Sequence, residues 1–295
     1  MRRVFPAVLS VLAAVVLSGC GIVGTRTVYV TAPPSSVIAS GTPSASSPAP
    51  SPTSPASTGK ACVTSAHKGN CGPYTYAQIT GSSGYNTYVI NNMWGAESGT
   101  TQTLTAVSPK DWSVVAALQP PGYTGVQTYP DTQELYTRQD NTPDPLSGFH
   151  SIVSSFAEAM STEGSTSAEA AYDIWLGQNS ATNYRNEVMI WNDQVNRGTC
   201  GGATVKAHAS FGGQDWTLCE YGGTELIWYL DGNEQSGTVH ILAMLTWLET
   251  HGYVPQGSGL NQIDYGFEIC STPGPEKFSV TGYDISSACN AGVSC

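Results

Sequence analysis

Between residues 86 and 285, short stretches of alternating apolar and polar residues follow one another, separated by glycine-rich turn signals. A period of two is typical of strands that bury one face. One stretch, Thr238 to His251, instead places apolar residues at helical spacing and precedes Gly252, a residue type favoured just beyond a helix end. We therefore predict an all-β fold, a β-jelly roll sandwich of two antiparallel sheets with one packed α-helix. The predicted strands are 86–93, 170–176, 186–192, 203–211, 214–220, 224–230, 262–270 and 277–285, with hairpin turns at Gly212-Gly213 and Gly222-Gly223, and the segment 152–160 fits helix and strand equally.

Three of these strands carry an acidic residue on the face opposite to their apolar residues. The strand YDIWL places Asp173 there, EVMIW places Glu187 there, and DYGFEI places Glu268 there. An ordinary solvent face would favour Thr, Ser and Lys, but these acids alternate with Trp and Met. If the three faces form one surface, carboxylates and indole rings line it.

This combination of side chains is what hydrolysis of a glycosidic bond requires. One carboxylate attacks or stabilises the sugar carbon, one carboxylic acid protonates the leaving oxygen, and flat rings pack on sugar faces. The formal net charge of -11 argues against a nucleic acid partner, because phosphates would be repelled. The sequence therefore indicates a carbohydrate-active surface.

Four motifs resemble glycoside hydrolase family 12 in order and spacing: NNMWG at 91–95, YDIWL at 172–176, NEVMIW at 186–191 and YGFE at 265–268. The resemblance covers roughly residues 85–286, and its most specific pieces are ExMIW and YDIWL. Members of that family are β-jelly-roll endoglucanases that retain the anomeric configuration. The resemblance thus implies a retaining endo-acting hydrolase of internal β-1,4-glucosidic bonds that works by double displacement without a cofactor. Its implied substrate is a β-glucan polysaccharide, whether cellulose-like, mixed-linkage or xyloglucan.

Carried over residue by residue, the resemblance assigns Glu187 as nucleophile, Glu268 as acid/base and Asp173 as the acid that hydrogen-bonds the nucleophile. Glu187 must be ionised to attack, so Asp173 helps only if it shares a proton with Glu187, and we expect Asp173 to be protonated. Glu268 must hold its proton until the leaving oxygen needs it. The family usually follows GFE with proline and an aromatic residue, whereas Ile269 and Cys270 follow here, so we expect a different wall beside Glu268. The same resemblance places on the donor side of the cleft Asn92, Trp94, Met189 and Trp191.

The first 60 residues are predicted to target and tether the chain. Arg2 and Arg3 precede an apolar run, Val4 to Leu17, which is shorter than the roughly 20 residues of a membrane-spanning helix and typical of a signal peptide. The run ends in LSGC, which resembles the bacterial lipobox, in which the cysteine, here Cys20, is lipidated; an ordinary secretory signal is the alternative. Residues 31–60 are almost entirely Ser, Pro, Ala and Thr, as in an extended stalk. We expect a signal peptide at 1–19, a lipidated stalk at 20–60 and a catalytic domain at 61–295, outside the cytoplasm and either lipid-anchored to the cell membrane or secreted.

Export to an oxidising compartment predicts disulfides. If Cys20 carries lipid, seven cysteines remain in the domain, so one stays unpaired, and we expect it to be Cys270. Connectivity does not follow from sequence, but nearness along the chain favours the bridges Cys62–Cys71, Cys200–Cys219 and Cys289–Cys295. No CxxC motif is present and the five histidines are scattered, so we expect no metal site.

A non-catalytic carbohydrate-binding lipoprotein of the cell envelope is the main alternative, since jelly rolls with exposed tryptophans also serve as binding modules. Such a module does not need Glu187 and Glu268 together. A structural envelope lipoprotein would have no cleft, and Trp94, Trp175 and Trp191 would then belong to the core. We expect a monomer that binds polysaccharide and touches the membrane only through its lipid anchor.

Removal of residues 1–60 should leave the fold and the activity on soluble polysaccharide intact, because the stalk is only a tether. Circular dichroism and reducing-end release, compared between the full and the truncated chain, check this. A truncated chain that fails to fold would contradict the boundary at Ala61.

Overall fold

A computed structural model describes residues 60–65, 79–80, 86–136, 143–177 and 184–291. These ranges contain sixteen strands, one α-helix and two 3₁₀ turns, at Leu146–Gly148 and Thr199–Gly202. In chain order the elements are β1 (Lys60–Ser65), β2 (Ile79–Thr80), β3 (Asn86–Ile90), β4 (Thr101–Ser108), β5 (Asp111–Ala117), β6 (Asp131–Leu135), β7 (Asp144–Pro145), β8 (Phe149–Ala159), β9 (Ser167–Gly177), β10 (Tyr184–Val195), β11 (Thr204–Phe211), β12 (Gln214–Tyr221), β13 (Glu225–Leu230), β14 (Ser236–Val239), α1 (Ile241–Thr250), β15 (Gly259–Ser271) and β16 (Glu276–Cys289).

The described strands form two sheets. The smaller sheet has the order β1-β4-β5-β16-β8-β14, and the larger has the order β11-β12-β13-β10-β9-β15-β6-β3-β2, with β7 paired to the start of β15. Neighbouring strands are antiparallel, except that β10 and β13 run parallel. This architecture confirms the predicted β-jelly roll sandwich with one helix.

The predicted strands all overlap strands of the structure, and β8 shows that the ambiguous segment 152–160 is extended. The helix α1 begins three residues later than the apolar periodicity suggested, and Gly252 follows it with φ +76°. Seven of the described strands have no counterpart among the predicted ones: β1, β2, β4, β5, β6, β7 and β14. Positive φ angles at both glycine pairs between β11, β12 and β13 confirm the two hairpin turns. No helix within the described ranges is long and apolar enough to cross a bilayer.

Large aromatic side chains from both sheets pack together in the core of the sandwich. The rings of Tyr172 and Tyr265 lie 4.5 Å apart between centroids, and Trp112 meets Phe267 edge-on at 5.7 Å. Tyr172 and Tyr265 are direct partners in the β9–β15 ladder. Because side chains alternate along a strand, the residues on either side of these tyrosines lie on the opposite face of the larger sheet.

Gly266 lies where β15 and β6 approach most closely. A Cβ at this position would stand 2.0 Å from the carbonyl oxygen of Pro130 and 2.7 Å from the Cα of Asp131. Since both of these are backbone atoms, a side chain fits only if the two strands move apart.

Substitution of Gly266→Ala should therefore lower the free energy of unfolding by about 1–3 kcal/mol or more. Guanidinium unfolding at fixed pH measures the change. Gly274→Ala is the matched control, because its Cβ would meet nothing within 4 Å. Equal stability of the two variants would contradict the close approach of the strands.

Candidate active site

The face of the larger sheet that points away from the core collects acidic side chains, and we call it the cleft face. On it, Asp173 of β9 is paired with Asp264 of β15 on one side and with Met189 of β10 on the other. Glu187 of β10 is paired with Trp175, two residues after Asp173 on β9. Glu268 of β15 is paired with Glu169, four residues before Asp173 on β9. The structure thus brings the three predicted acids onto one face of three adjacent strands, β10, β9 and β15.

Glu187 is half-buried, and its environment disfavours the charged form. Burial, followed by the carboxyls of Asp173, Glu225 and Glu268, raises the pKa of Glu187 well above its ordinary value. Glu225 is its direct partner on β13. Glu187 therefore sits within a group of carboxyls that compete for protons.

Asp173 is 7% exposed, and its Oδ1 has no hydrogen-bond partner. Burial raises the pKa of Asp173 well above its ordinary value, and the nearby carboxyls of Asp264 and Glu268 raise it further. The direction favours the protonated form that the sequence analysis expects. None of these causes is a hydrogen bond to Glu187, so in this structure the two carboxyls interact through their charges.

Glu268 is also 7% exposed and stands directly opposite Glu169 of β9. Glu169 is fully buried and forms an ion pair with the equally buried Arg197. Sequence reasoning missed both. Glu169 could have been found, because it lies four residues before Asp173 and so shares its face, whereas Arg197 lies in an irregular loop where no periodicity applies.

Two further buried acids, Asp131 and Asp264, lie on the cleft face and were not predicted as site residues. Burial raises the pKa of both well above the ordinary value, and Asp131 raises that of Asp264 further. Hydrogen bonds from Asn92 and Gln133 act against the shift of Asp131, and one from Gln262 acts against that of Asp264. The cleft face therefore holds more carboxyls than a pair of catalytic acids requires.

The predicted donor-side residues divide into two pairs. Asn92 and Trp94 are half-buried; the Nδ2 of Asn92 donates to Asp131 Oδ2 at 3.3 Å. Met189 and Trp191 lie on the cleft face as predicted, but both are buried. As a result, only the first pair has side-chain surface open to a ligand in this structure.

A loop of residues 196–203 covers Trp191. The guanidinium carbon of Arg197 lies 5.1 Å from the centre of the Trp191 ring, and a Cβ on Gly201 would lie 3.0 Å from its Cη2. A disulfide between Cys200 and Cys219 ties this loop to β12, which confirms one predicted bridge. The burial of Trp191 therefore results from the loop that directly follows its own strand, β10, and folds back over the ring.

The expectation that Cys270 stays free is wrong, because Cys270 is disulfide-bonded, as is Cys289. That expectation rests on nearness of cysteines along the chain. Disulfide bonding depends instead on which segments meet in space, and Cys270 lies near the end of β15, where other segments approach it. The proposed bridges Cys62–Cys71 and Cys289–Cys295 each include a cysteine outside the described residues, as does lipidation of Cys20. Within the described ranges, no group of three His, Cys, Asp or Glu residues is arranged to hold a metal ion.

Comparison with known proteins places this geometry in context. The model of the family described as Glycosyl hydrolase family 12 matches residues 86–286. The family 12 xyloglucanase from Bacillus licheniformis, solved in complex with ligand, is similar with a TM-score of 0.60 and 21% identity, over 77% of this chain and 99% of that one. The xyloglucanase domain of NopAA, a type three effector from Sinorhizobium fredii in complex with cellobiose, gives 0.59 and 24%, over 77% and 98%.

A cellulase derived from the Cel12A cellulase of Rhodothermus marinus is similar with a TM-score of 0.60 and 18% identity, over 77% of this chain and 100% of that one. No curated protein sequence matches the chain. At these identities the solved structures show a shared fold.

Substitution of Asp264→Asn should stabilise the protein increasingly as pH rises. An unfolded aspartate releases its proton near pH 4, whereas burial holds the pKa of the folded Asp264 well above that value. The stability from the protonated group is thus present below about pH 4 and is lost as pH rises toward the folded-state pKa. Asparagine avoids this loss and can still accept the hydrogen bond from Gln262.

Guanidinium unfolding between pH 4 and pH 8 measures this effect as the difference in free energy between variant and wild type. The difference should grow by up to about 1.4 kcal/mol per pH unit within the titration window. Asp111→Asn removes an exposed carboxyl and serves as the control. A pH-independent difference for Asp264→Asn would contradict the assignment.

Proposed function

The chain belongs to glycosyl hydrolase family 12, and from this premise we propose that it is a retaining endo-acting hydrolase of internal β-1,4-glucosidic bonds in a β-glucan. The observation that carries the proposal is the placement of Glu187 and Glu268 on one face of the sheet, with β9 between their strands. The two side chains also interact through their charges. Retaining hydrolysis uses two carboxyls about 5–5.5 Å apart, one as nucleophile and one as acid/base.

Double displacement gives each carboxyl a distinct task. Glu187 attacks the anomeric carbon and forms a glycosyl ester, while Glu268 gives its proton to the departing glycosidic oxygen. Glu268, now a carboxylate, then takes a proton from water as the water attacks the ester, which releases the sugar and restores both residues. The configuration at the anomeric carbon is inverted twice and is therefore retained.

The carboxyls of the cleft face differ in burial, and this difference supports the assignment of the nucleophile. Glu187 is half-buried, whereas Asp131, Asp173 and Asp264 are buried. Ionisation costs least for the carboxyl that keeps most contact with water, and protons held by the others reduce the repulsion on it. Glu187 is thus the member of this group best suited to react as the charged nucleophile.

Substrate class and cellular location extend the proposal. Two structurally similar proteins are named xyloglucanases and a third is derived from a cellulase, so we include β-1,4-glucan, mixed-linkage glucan and xyloglucan. We also propose that the chain is exported and works as a monomer outside the cytoplasm, tethered through a lipidated Cys20 and a stalk. The half-buried Asn92 and Trp94 would contact the donor sugars, whereas Met189 and Trp191, also assigned to the donor side, are buried.

Reducing-end release by the full chain from a panel of soluble β-glucans tests the catalytic assignment. Glu268→Gln should lower the rate by about 10²–10⁴-fold, because it removes general acid and base catalysis, and Glu187→Gln should lower it at least as much. Glu163→Gln, at an exposed turn, is the matched control and should retain full activity.

Proton NMR of the first product should show the β-anomer, as retention requires. A wild-type protein that binds a glucan but cleaves none would overturn the catalytic proposal in favour of a carbohydrate-binding lipoprotein. Cleavage that survives both substitutions would overturn the residue assignment.

A further inference from the structure

A buried arginine stands beside the proposed acid/base. Arg197 Nη2 donates to Glu169 Oε1 at 2.9 Å, and its Nε forms an ion pair with the other oxygen of Glu169. The same Nη2 lies 3.9 Å from Glu268 Oε2. The guanidinium of Arg197 therefore lies next to two carboxyls. It contacts Glu169 through two nitrogens and Glu268 through one nitrogen at a longer distance.

Several contacts fix Arg197 in this position. Its backbone N–H donates to Gln194 Oε1 at 2.8 Å, and its guanidinium packs on the ring of Trp191. The disulfide of Cys200 and Cys219 holds the loop that carries it. Since the side chain is fully buried, the arginine has little freedom to turn away from the two carboxyls.

The charges of Arg197, Glu169 and Glu268 balance when the two carboxyls share one proton. Glu169 and Glu268 are direct partners across β9 and β15, and their carboxyls are within reach of a side-chain hydrogen bond. Two adjacent buried carboxylates repel, so the pair retains a proton, while the single positive charge of Arg197 balances the other carboxylate. Burial raises the pKa of Glu169 well above its ordinary value and Glu268 raises it further, while the charge of Arg197 acts in the opposite direction.

We propose that Arg197 assigns the shared proton of the Glu169–Glu268 pair to Glu268, because its two-nitrogen contact selects Glu169 as the ionised member. This inference rests on the proposed function, in which Glu268 is the acid/base. Arg197 and Glu169 are then positioning residues: they lie beside Glu268, and their ion pair decides which carboxyl of the Glu169–Glu268 pair carries the proton. Both are new to the site, since neither stands in any of the four motifs of the sequence analysis.

Other groups also face Glu268 and contribute to its surroundings. Asp173 and Glu169 face it from β9, Glu187 from β10, Tyr129 from the segment before β6, and Arg197 from the covering loop. Except for Arg197, these groups are neutral or negative, so removal of either member of the ion pair changes the charge next to Glu268 in a known direction.

The pH dependence of kcat/KM for the full chain on a soluble β-glucan tests the proposal. The alkaline limb of the kcat/KM profile reports loss of the proton from the acid/base. In Glu169→Gln, Glu268 is the one carboxylate of the pair that remains to interact with the charge of Arg197, so this limb should move to lower pH by about one unit or more. In Arg197→Met, the buried carboxyl pair loses its cation, so the alkaline limb should move to higher pH by a similar amount. Mere loosening of the structure would lower kcat without moving the two limbs in opposite directions.

Lys206→Met is the matched control, because it removes a lysine that is ion-paired with Glu220 at 3.0 Å on the neighbouring strands β11 and β12. It should leave the alkaline limb unchanged. Thermal melts establish that each variant is folded. If Arg197→Met does not fold, the nearly isosteric Glu169→Gln still decides, since an unmoved or upward-moving limb in that variant overturns the inference.

Carbon-13 NMR titration of labelled glutamate side chains follows the protonation of Glu268 directly and needs no activity assay. The resonance of Glu268 is identified as the one that is lost in Glu268→Gln. Opposite shifts of the Glu268 titration in the two variants would support the proton assignment even if no glucan is cleaved, and in that case only the proposed function fails. Active enzyme with an unshifted Glu268 titration would overturn the inference and leave the proposed function standing.

Discussion

The contact between Tyr172 and Tyr265 in the core sets the register of β9 against β15, and the site depends on that register. The two rings are direct partners in the ladder, 4.5 Å apart, and Tyr265 also stacks on Tyr283 of the opposite sheet. A shift of β9 by one residue would carry Tyr172 out of the core and turn its acidic neighbour Asp173 into it, and the same shift of β15 would exchange Tyr265 and Asp264. The same register places Asp173 opposite Asp264 and Glu169 opposite Glu268, so the burial of aromatic rings also collects the carboxyls.

A sheet face that holds so many buried acids is stable only if most of them are neutral or paired. The structure meets this condition in two ways. Asp131, Asp173 and Asp264 lie close together with raised pKa values, which favours their neutral forms. Glu169 is instead paired with Arg197. The proposed nucleophile and acid/base therefore work at the border between a region that keeps its protons and a region that contains a fixed positive charge.

The sequence predicted those parts of the fold that depend on local periodicity. Alternation in YDIWL, EVMIW and DYGFEI correctly separated core residues from cleft-face residues, because burial of one face imposes a period of two on a strand. It did not predict that Met189 and Trp191 are buried. The cover of Trp191 comes from the loop of residues 196–203, whose irregular backbone leaves no periodic signal. The bonding of Cys270 was missed for the same reason, since it depends on which segments meet in space.

The covering loop explains two departures from the sequence prediction with one structural cause. It closes over Trp191, and so removes an aromatic surface that the resemblance placed on the wall of the cleft. In the same position it brings a cation to Glu169 and Glu268. The Cys200–Cys219 bridge, which joins residues 19 apart in sequence, reduces the entropy cost of holding this loop in place. Stability of the loop and the charge beside the proposed acid/base are therefore linked, because a loop that opened to expose Trp191 would also withdraw Arg197 from the carboxyl pair.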